Sequence, residues 1–144
     1  MAHFVLIRPG ATDYDQQGRI QGTQHIPLND TGDAQIRQIV EDVRRLGITS
    51  IYRAPCQSAE QTAAVLGAAL DVKIRELDAL SKIDLGLWQG MLVEDVKRKQ
   101  PKVFRQWREQ PEKVCPPQGE MLSGAKSRVE AALTKLAKKH KEGT

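Results

Sequence analysis

Phe4-Val5-Leu6-Ile7-Arg8-Pro9-Gly10-Ala11-Thr12 is the stretch whose reading decides the fold. Four apolar residues run together and stop at Arg-Pro-Gly. A short continuous apolar run bounded by turn residues predicts a strand over 4–7 that is buried on both faces. Strands of that kind belong to parallel sheets covered by helices, which gives an α/β class. Functional groups in such sheets gather at the carboxyl ends of the strands, so 8–12 lies where a site is expected. Pro9 at that place has neither a side-chain nitrogen nor a backbone N–H.

Outward from this stretch, the 144 residues predict a single domain spanning 1–144. That length is enough to bury a core without staples. The 40% apolar and 28% charged content excludes a disordered chain, and the 4% aromatic content requires a mostly aliphatic core. No long apolar run and no charged, apolar, small-residue leader is present, so the expectation is a cytoplasmic protein without a membrane partner. Cys56 and Cys115 are far apart in sequence and are expected to be reduced thiols used for packing. Residues 1–91 hold 9 Lys+Arg against 11 Asp+Glu, a balance of −2, while residues 92–144 hold 13 against 7, a balance of +6. A solvated helix face explains the basic tail better than a nucleic-acid partner does, because no nucleic-acid motif accompanies it.

In chain order, 13–22 reads as a polar, glycine-punctuated loop. Asn29 is a predicted N-cap for a helix whose apolar face is Ile36, Ile39, Val40, Val43 and Leu46, closed by Gly47. A second strand is predicted over 49–52 and a third over 72–75, with a helix between them that holds Cys56 in its first turn. Residues 92–110 read as helical, with Pro101 at a break or first turn and with Phe104 and Trp107 packing on one face. After a loop over 111–119, Leu122, Ala125, Val129, Ala132, Leu133 and Leu136 form an amphipathic helix that includes His140, with Gly143 as an end signal.

Five segments taken together resemble the histidine phosphatase superfamily, the phosphoglycerate-mutase-like proteins. Residues 6–12 resemble Leu-Ile-Arg-His-Gly-Glu-Thr, with Pro9 in the histidine place and Ala11 in the glutamate place. Gly18, Arg19, Ile20, Gln21 and Gly22 repeat a family loop, with Tyr14 and Asp15 standing where Trp and Asn are usual. Pro27, Leu28 and Gly32 match a family turn. Pro55, Ala59, Gln61, Thr62 and Ala63 fall into register with Ser-Ser-Pro-Leu-x-Arg-Ala-x-Gln-Thr-Ala, but Ser58 occupies the arginine place and Ala54 that of the serine before the proline. Gly86, Trp88 and Gly90 match a further motif, with Lys82 in its glutamate place. Pro117, Gly119 and Glu120 match a last one, with Met121 in the serine place.

The resemblance implies a three-layer α/β/α fold with a mostly parallel central sheet, phosphoglycerate-mutase-like, lacking the C-terminal strand or strands. In the family that strand runs between strands one and two and is followed by a second catalytic histidine. Three alternatives for the gap stay open: direct pairing of the flanking strands, a second polypeptide, or a longer natural chain. The resemblance also implies that Pro9 replaces the nucleophile, Ser58 the bidentate phosphate clamp, and Lys82 the acid that protonates the leaving group. A serine is too short and neutral for the clamp, and lysine is a poor proton donor near neutral pH. An Ala54 cap position would leave the helix without its capping hydroxyl.

The expected function is therefore that of a catalytically inactive relative acting by binding, as a scaffold or regulatory partner, with no cofactor and no metal. The alternatives are a residual phosphatase using Cys56 or His25, and a phosphoester-binding module using Arg8, Arg19 and Lys82. For Arg19 and Lys82 the plain reading is an exposed surface cation. Expected partners are a protein or a second copy completing the sheet, or a phosphorylated small molecule.

Overall fold

Thr12 opens the first helix of the computed structural model, which describes residues 1–144. That helix, α1 (Asp13–Gln17), stands where the composition predicted a loop. Its cause is a reciprocal cap: Asp15 N donates to Thr12 Oγ1 at 3.4 Å and Thr12 N donates to Asp15 Oδ2 at 2.8 Å. The next helix, α2 (Asp30–Arg44), starts as predicted at Asn29, whose side-chain oxygen accepts from Gly32 N at 2.9 Å. A β–α–β unit follows: β1 (Ile51–Arg53), α3 (Gln57–Leu70) and β2 (Ile74–Glu76). The two strands pair in parallel, with Ile51 opposite Ile74, and start two residues later than the patterns over 49–52 and 72–75 placed them. Then come α4 (Val93–Lys99), α5 (Pro101–Glu109) with Pro101 in its first turn, and the amphipathic α6 (Leu122–Lys139).

Successive strand side chains point to opposite faces of a sheet. Ile51 packs with Ile36, Val40, Val43 and Leu66 of α2 and α3, while the Tyr52 hydroxyl lies 2.8 Å from His140 Nε2 at the end of α6. Helices thus cover both faces of the small parallel sheet. A second cluster of Ile20, Leu85, Trp88, Val96, Phe104 and Val114 forms beside α4 and α5. Trp107 stacks edge-on against Trp88, so the two aromatics of α5 pack, as their spacing predicts.

The leading strand is the main departure. No hydrogen bond is made by the backbone of residues 4–8, and Phe4, Val5 and Leu6 are 48%, 38% and 83% exposed. The segment is tied at its start, where His3 N donates to Gly143 O at 2.9 Å in a parallel bridge between Ala2 and Gly143. Only Ile7 of the apolar run reaches the α2–α3 cluster. An apolar run encodes burial, but a strand also needs a neighbouring edge. Across from residues 2–9 lies β1, and between them is a cavity of about 340 Å³. Direct pairing of the two flanking segments is thereby excluded in this structure.

Smaller corrections follow from the helix ends. Cys56 is the N-cap of α3 rather than a first-turn residue, so the cap position is not Ala54; Cys56 makes no capping bond, and the helix start lacks a side-chain cap all the same. His140 caps the carboxyl end of α6 rather than lying inside it. Cys56 is a buried thiol as expected, but Cys115 is exposed, its Sγ 3.4 Å from Gly119 O, and packs against nothing apolar that would bury it. No helix is long and apolar enough to cross a membrane.

Candidate functional site

Residues 10–12 are held in place even though 4–8 are not. Gly10 N donates to Thr62 Oγ1 at 3.1 Å, Ala11 N to Gln35 Oε1 at 3.0 Å, and Asn29 N to Ala11 O at 3.1 Å. The backbone here presses on the start of α2: a Cβ on Gly32 would lie 2.2 Å from Ala11 O, and one on Gly10 would lie 2.7 Å from Gly32 O. Both glycines matching the family pattern are thus required by close approach of two backbones.

The cavity brings some of the sequence-selected residues together and leaves others out. Pro9, Cys56 and Lys82 line it, with Thr62 between the helix and the Gly10 turn. Arg8, Arg19 and Ser58 do not line it. Ser58 is 0% exposed, its Oγ 3.6 Å from the Cys56 sulfur. Arg19 is half-buried and committed to the fold, its Nε bonded to Gln17 Oε1 and its Nη1 to Gly90 O, both at 2.8 Å. The plain reading of Arg19 as an exposed loop cation is therefore wrong, and so is its use as a free phosphate ligand: its guanidinium joins the α1 loop to the Gly90 turn.

Arg8 is 85% exposed in its side chain and lies 3.8 Å from Asp15 Oδ1, a loose surface pair of small energy. Lys82 is half-buried rather than exposed, and its Nζ is 3.5 Å from Gln21 Oε1. The same Gln21 oxygen lies 3.5 Å from Thr12 Oγ1, which is 3.1 Å from Asp15 Oδ2. Arg8, Asp15, Thr12, Gln21 and Lys82 thus form one polar chain with a cation at each end. Gln21 is buried and its Nε2 has no hydrogen-bond partner. Asp15 sits inside the chain, where its negative charge opposes an anion.

Four residues that matter here escaped the sequence reading. Gln21 was legible only as part of a loop, although its place between Arg19 and Gly22 marks it. Arg53, at the carboxyl end of β1, lines the cavity, but Glu76 at 2.8 Å and Glu60 at 3.6 Å neutralise it. Arg128 of α6 holds the Lys82 loop, donating to Ala79 O at 2.8 Å, Ser81 O at 2.7 Å and Lys82 O at 3.2 Å. Its Nη2 also pairs with Glu120 Oε1 at 2.6 Å, and that carboxylate accepts from Asp84 N at 3.0 Å. The hydrogen bond from Arg128 holds the Glu120 carboxyl below its ordinary range; partial burial works the other way, and the Asp84 N–H adds to the lowering.

The retained Gly86, Trp88 and Gly90 belong to the same support. Gly86 adopts a left-handed φ of 54°, and a Cβ there would lie 2.1 Å from Pro117 O. Trp88 is the largest fully buried side chain. No group of three or more His, Cys, Asp or Glu side chains converges as a metal site.

Comparison with known proteins agrees with this layout. Residues 4–144 match the profile of the histidine phosphatase superfamily (branch 1). The chain is 32% identical over 140 residues to phosphoserine phosphatase 1 of Hydrogenobacter thermophilus, covering 97% of this chain and 66% of that protein. It is 30% identical over 138 residues to an Enterobacter protein named probable phosphoglycerate mutase GpmB, covering 96% of this chain and 64% of that one. Among solved structures, a mycobacterial glucosyl-3-phosphoglycerate phosphatase superimposes with a TM-score of 0.85 at 26% identity, over 90% of this chain and 64% of the other. The chain therefore spans about two thirds of the length of these relatives.

Proposed function

This chain belongs to the histidine phosphatase superfamily (branch 1), and we propose that within it the protein works by binding, as a scaffold or regulatory partner, and not by phosphoryl transfer. The observation that carries this reading is Pro9 at the cavity wall. At the place where the superfamily signature has its histidine, the side chain is a saturated ring with no nitrogen to take a phosphoryl group. Two further positions support it. Ser58, in the clamp position, is sealed against Cys56 and offers no guanidinium. Lys82, in the acid position, is spent on the Gln21 carboxamide. Phosphoryl transfer depends on positioning and charge stabilisation, and these substitutions remove both together. The relatives named as phosphatases and mutases carry their activities on chains longer than the segment matched here.

The test is hydrolysis of nitrophenyl phosphate, phosphoserine and phosphoglycerate by the full chain. The expected result is turnover equal to a protein-free blank. Hydrolysis abolished by Cys56→Ser or His25→Ala would overturn the reading in favour of a residual enzyme with a substitute nucleophile.

A second reading, phosphoester binding without turnover, is favoured by the polar chain from Arg8 to Lys82 and by the unpartnered Gln21 Nε2. Calorimetric titration with inorganic phosphate checks it. Saturable heat that Lys82→Gln removes supports it; no heat at about 1 mM phosphate, a concentration matching about 4 kcal/mol of binding, ends it.

A further inference from the structure

We propose that the cavity between residues 2–9 and β1 is a receiving groove for one extended apolar strand from another polypeptide, which enters parallel to β1 and becomes the central strand of the sheet. This rests on the reading that the protein acts by binding, and it names the class of partner.

The occupant must be an extended chain because both banks are strand edges. On one bank, residues 4–8 make no backbone hydrogen bond at all. On the other, β1 is paired along one side only: Ile51 N donates to Lys73 O and Leu77 N to Arg53 O. A parallel ladder uses alternate residues on each side, so the Tyr52 N–H and C=O are left directed to the open edge. Buried edges of this kind demand partners, and only another backbone supplies donors and acceptors at strand spacing. A compact small molecule or a helix cannot, because neither presents free main-chain groups in that register.

The direction is recorded at the mouth. Gly143 O accepts from His3 N at 2.9 Å and Thr144 O accepts from Thr49 N at 2.7 Å. Those two residues therefore already bond to both banks, and the Ala2–Gly143 bridge is parallel. A strand laid in the same sense runs on beside residues 4–7 and reaches Arg53. Four residues at about 3.3 Å each cover that length.

The lining sets the side chains of the occupant. Ala59, Ala63 and Leu66 of α3 line the groove, as do Leu133 and Leu136 of α6. Small residues on α3 leave room for large ones on the incoming strand, and helices flank the sheet on both faces, so every position of that strand meets an apolar surface. The cavity of about 340 Å³ exceeds the volume of a water, about 30 Å³, by an order of magnitude and is too large for a packing defect. The exposure of Phe4 and Val5 has the same origin: their neighbour is a strand this chain does not supply among residues 1–144.

The experiment uses the full chain and a fluorescent synthetic octapeptide alternating valine, isoleucine and threonine. A control peptide has the same side chains but N-methyl groups on alternate backbone amides. Binding is read by anisotropy, and hydrogen exchange is followed by mass spectrometry on peptides covering 4–7 and 50–53. The expected result is saturable binding, with exchange slowed at least about tenfold at both places and affinity lowered at least about tenfold for the methylated peptide, since each lost main-chain bond contributes about 1 kcal/mol. Equal binding of the two peptides would reduce the site to a greasy patch and overturn the proposal. So would absence of binding at about 1 mM peptide, the affinity floor of a specific complex. Dimerisation that protects 4–7 without any peptide would assign the groove to a second copy and overturn it as well. The phosphatase assay above uses no peptide, so activity there and failure here are separate outcomes.

Discussion

Arg128→Ala is the perturbation whose effect the structure specifies most fully. The guanidinium bonds three main-chain carbonyls, those of Ala79, Ser81 and Lys82, and pairs with the Glu120 carboxylate. Hydrogen bonds to a charged group contribute about 1.5–3 kcal/mol each when fully desolvated. Here the two side chains keep 26% and 29% of their exposure, so water refills part of what is lost. Discounted for that screening, the four contacts together amount to about 3 kcal/mol. For a chain of this size each kcal/mol moves the midpoint by about 3 °C, so a fall of about 9 °C is expected by thermal circular dichroism. Arg37→Ala is the control: its pair with Asp33 is an exposed i,i+4 contact of about 0.4 kcal/mol. A loss for Arg128→Ala no larger than for Arg37→Ala would refute the claim that this residue holds the Lys82 loop. The pH dependence supplies a second readout. The native Glu120 carboxyl is lowered, so its contribution is complete above the ordinary carboxylate value and fades as acid protonates it through the lowered one. Without Arg128 that contribution is absent at every pH, so the gap between wild type and variant narrows on acidification.

Three further outcomes follow from the same geometry. Pro9→His alone leaves phosphoserine hydrolysis at the blank, because Ser58 and Lys82 still occupy the clamp and acid positions; turnover in that single variant would show that the other two substitutions are harmless. Ser58→Arg lowers the midpoint sharply, by about 3–5 kcal/mol of stability in urea titration, since the position is fully enclosed beside Cys56 and a guanidinium there has no carboxylate. Gly32→Ala destabilises by about 1–3 kcal/mol although alanine is the better helix former, because its Cβ would sit 2.2 Å from Ala11 O and two backbones must separate; a stabilised variant would show that the contact is slack.

Local chemistry was legible wherever it decided the structure. Asn29 capped α2 as its side chain predicts, Pro101 opened α5, and the apolar faces of α2 and α6 packed where their periodicity placed them. The Thr12–Asp15 cap was equally local and is readable in hindsight from the spacing of a hydroxyl and a carboxylate three residues apart. The substitutions at Pro9, Ser58 and Lys82 needed only the residue identities and the matching motifs around them.

Contacts between distant segments were not legible. Arg128 reaches carbonyls 46 to 49 residues away, and nothing in its own surroundings marks it as different from the other cations of α6. Arg19 and Lys82 looked alike as loop cations, yet one is locked to Gly90 and the other faces the cavity. The leading stretch shows the limit most clearly. Its apolar run by itself determined that residues 4–7 avoid helix and seek burial, because side-chain hydrophobicity and backbone preference are properties of the residues. Whether they become a strand was decided by tertiary structure alone, because a strand exists only when a second edge supplies the hydrogen bonds, and here the facing edge stands across an open groove.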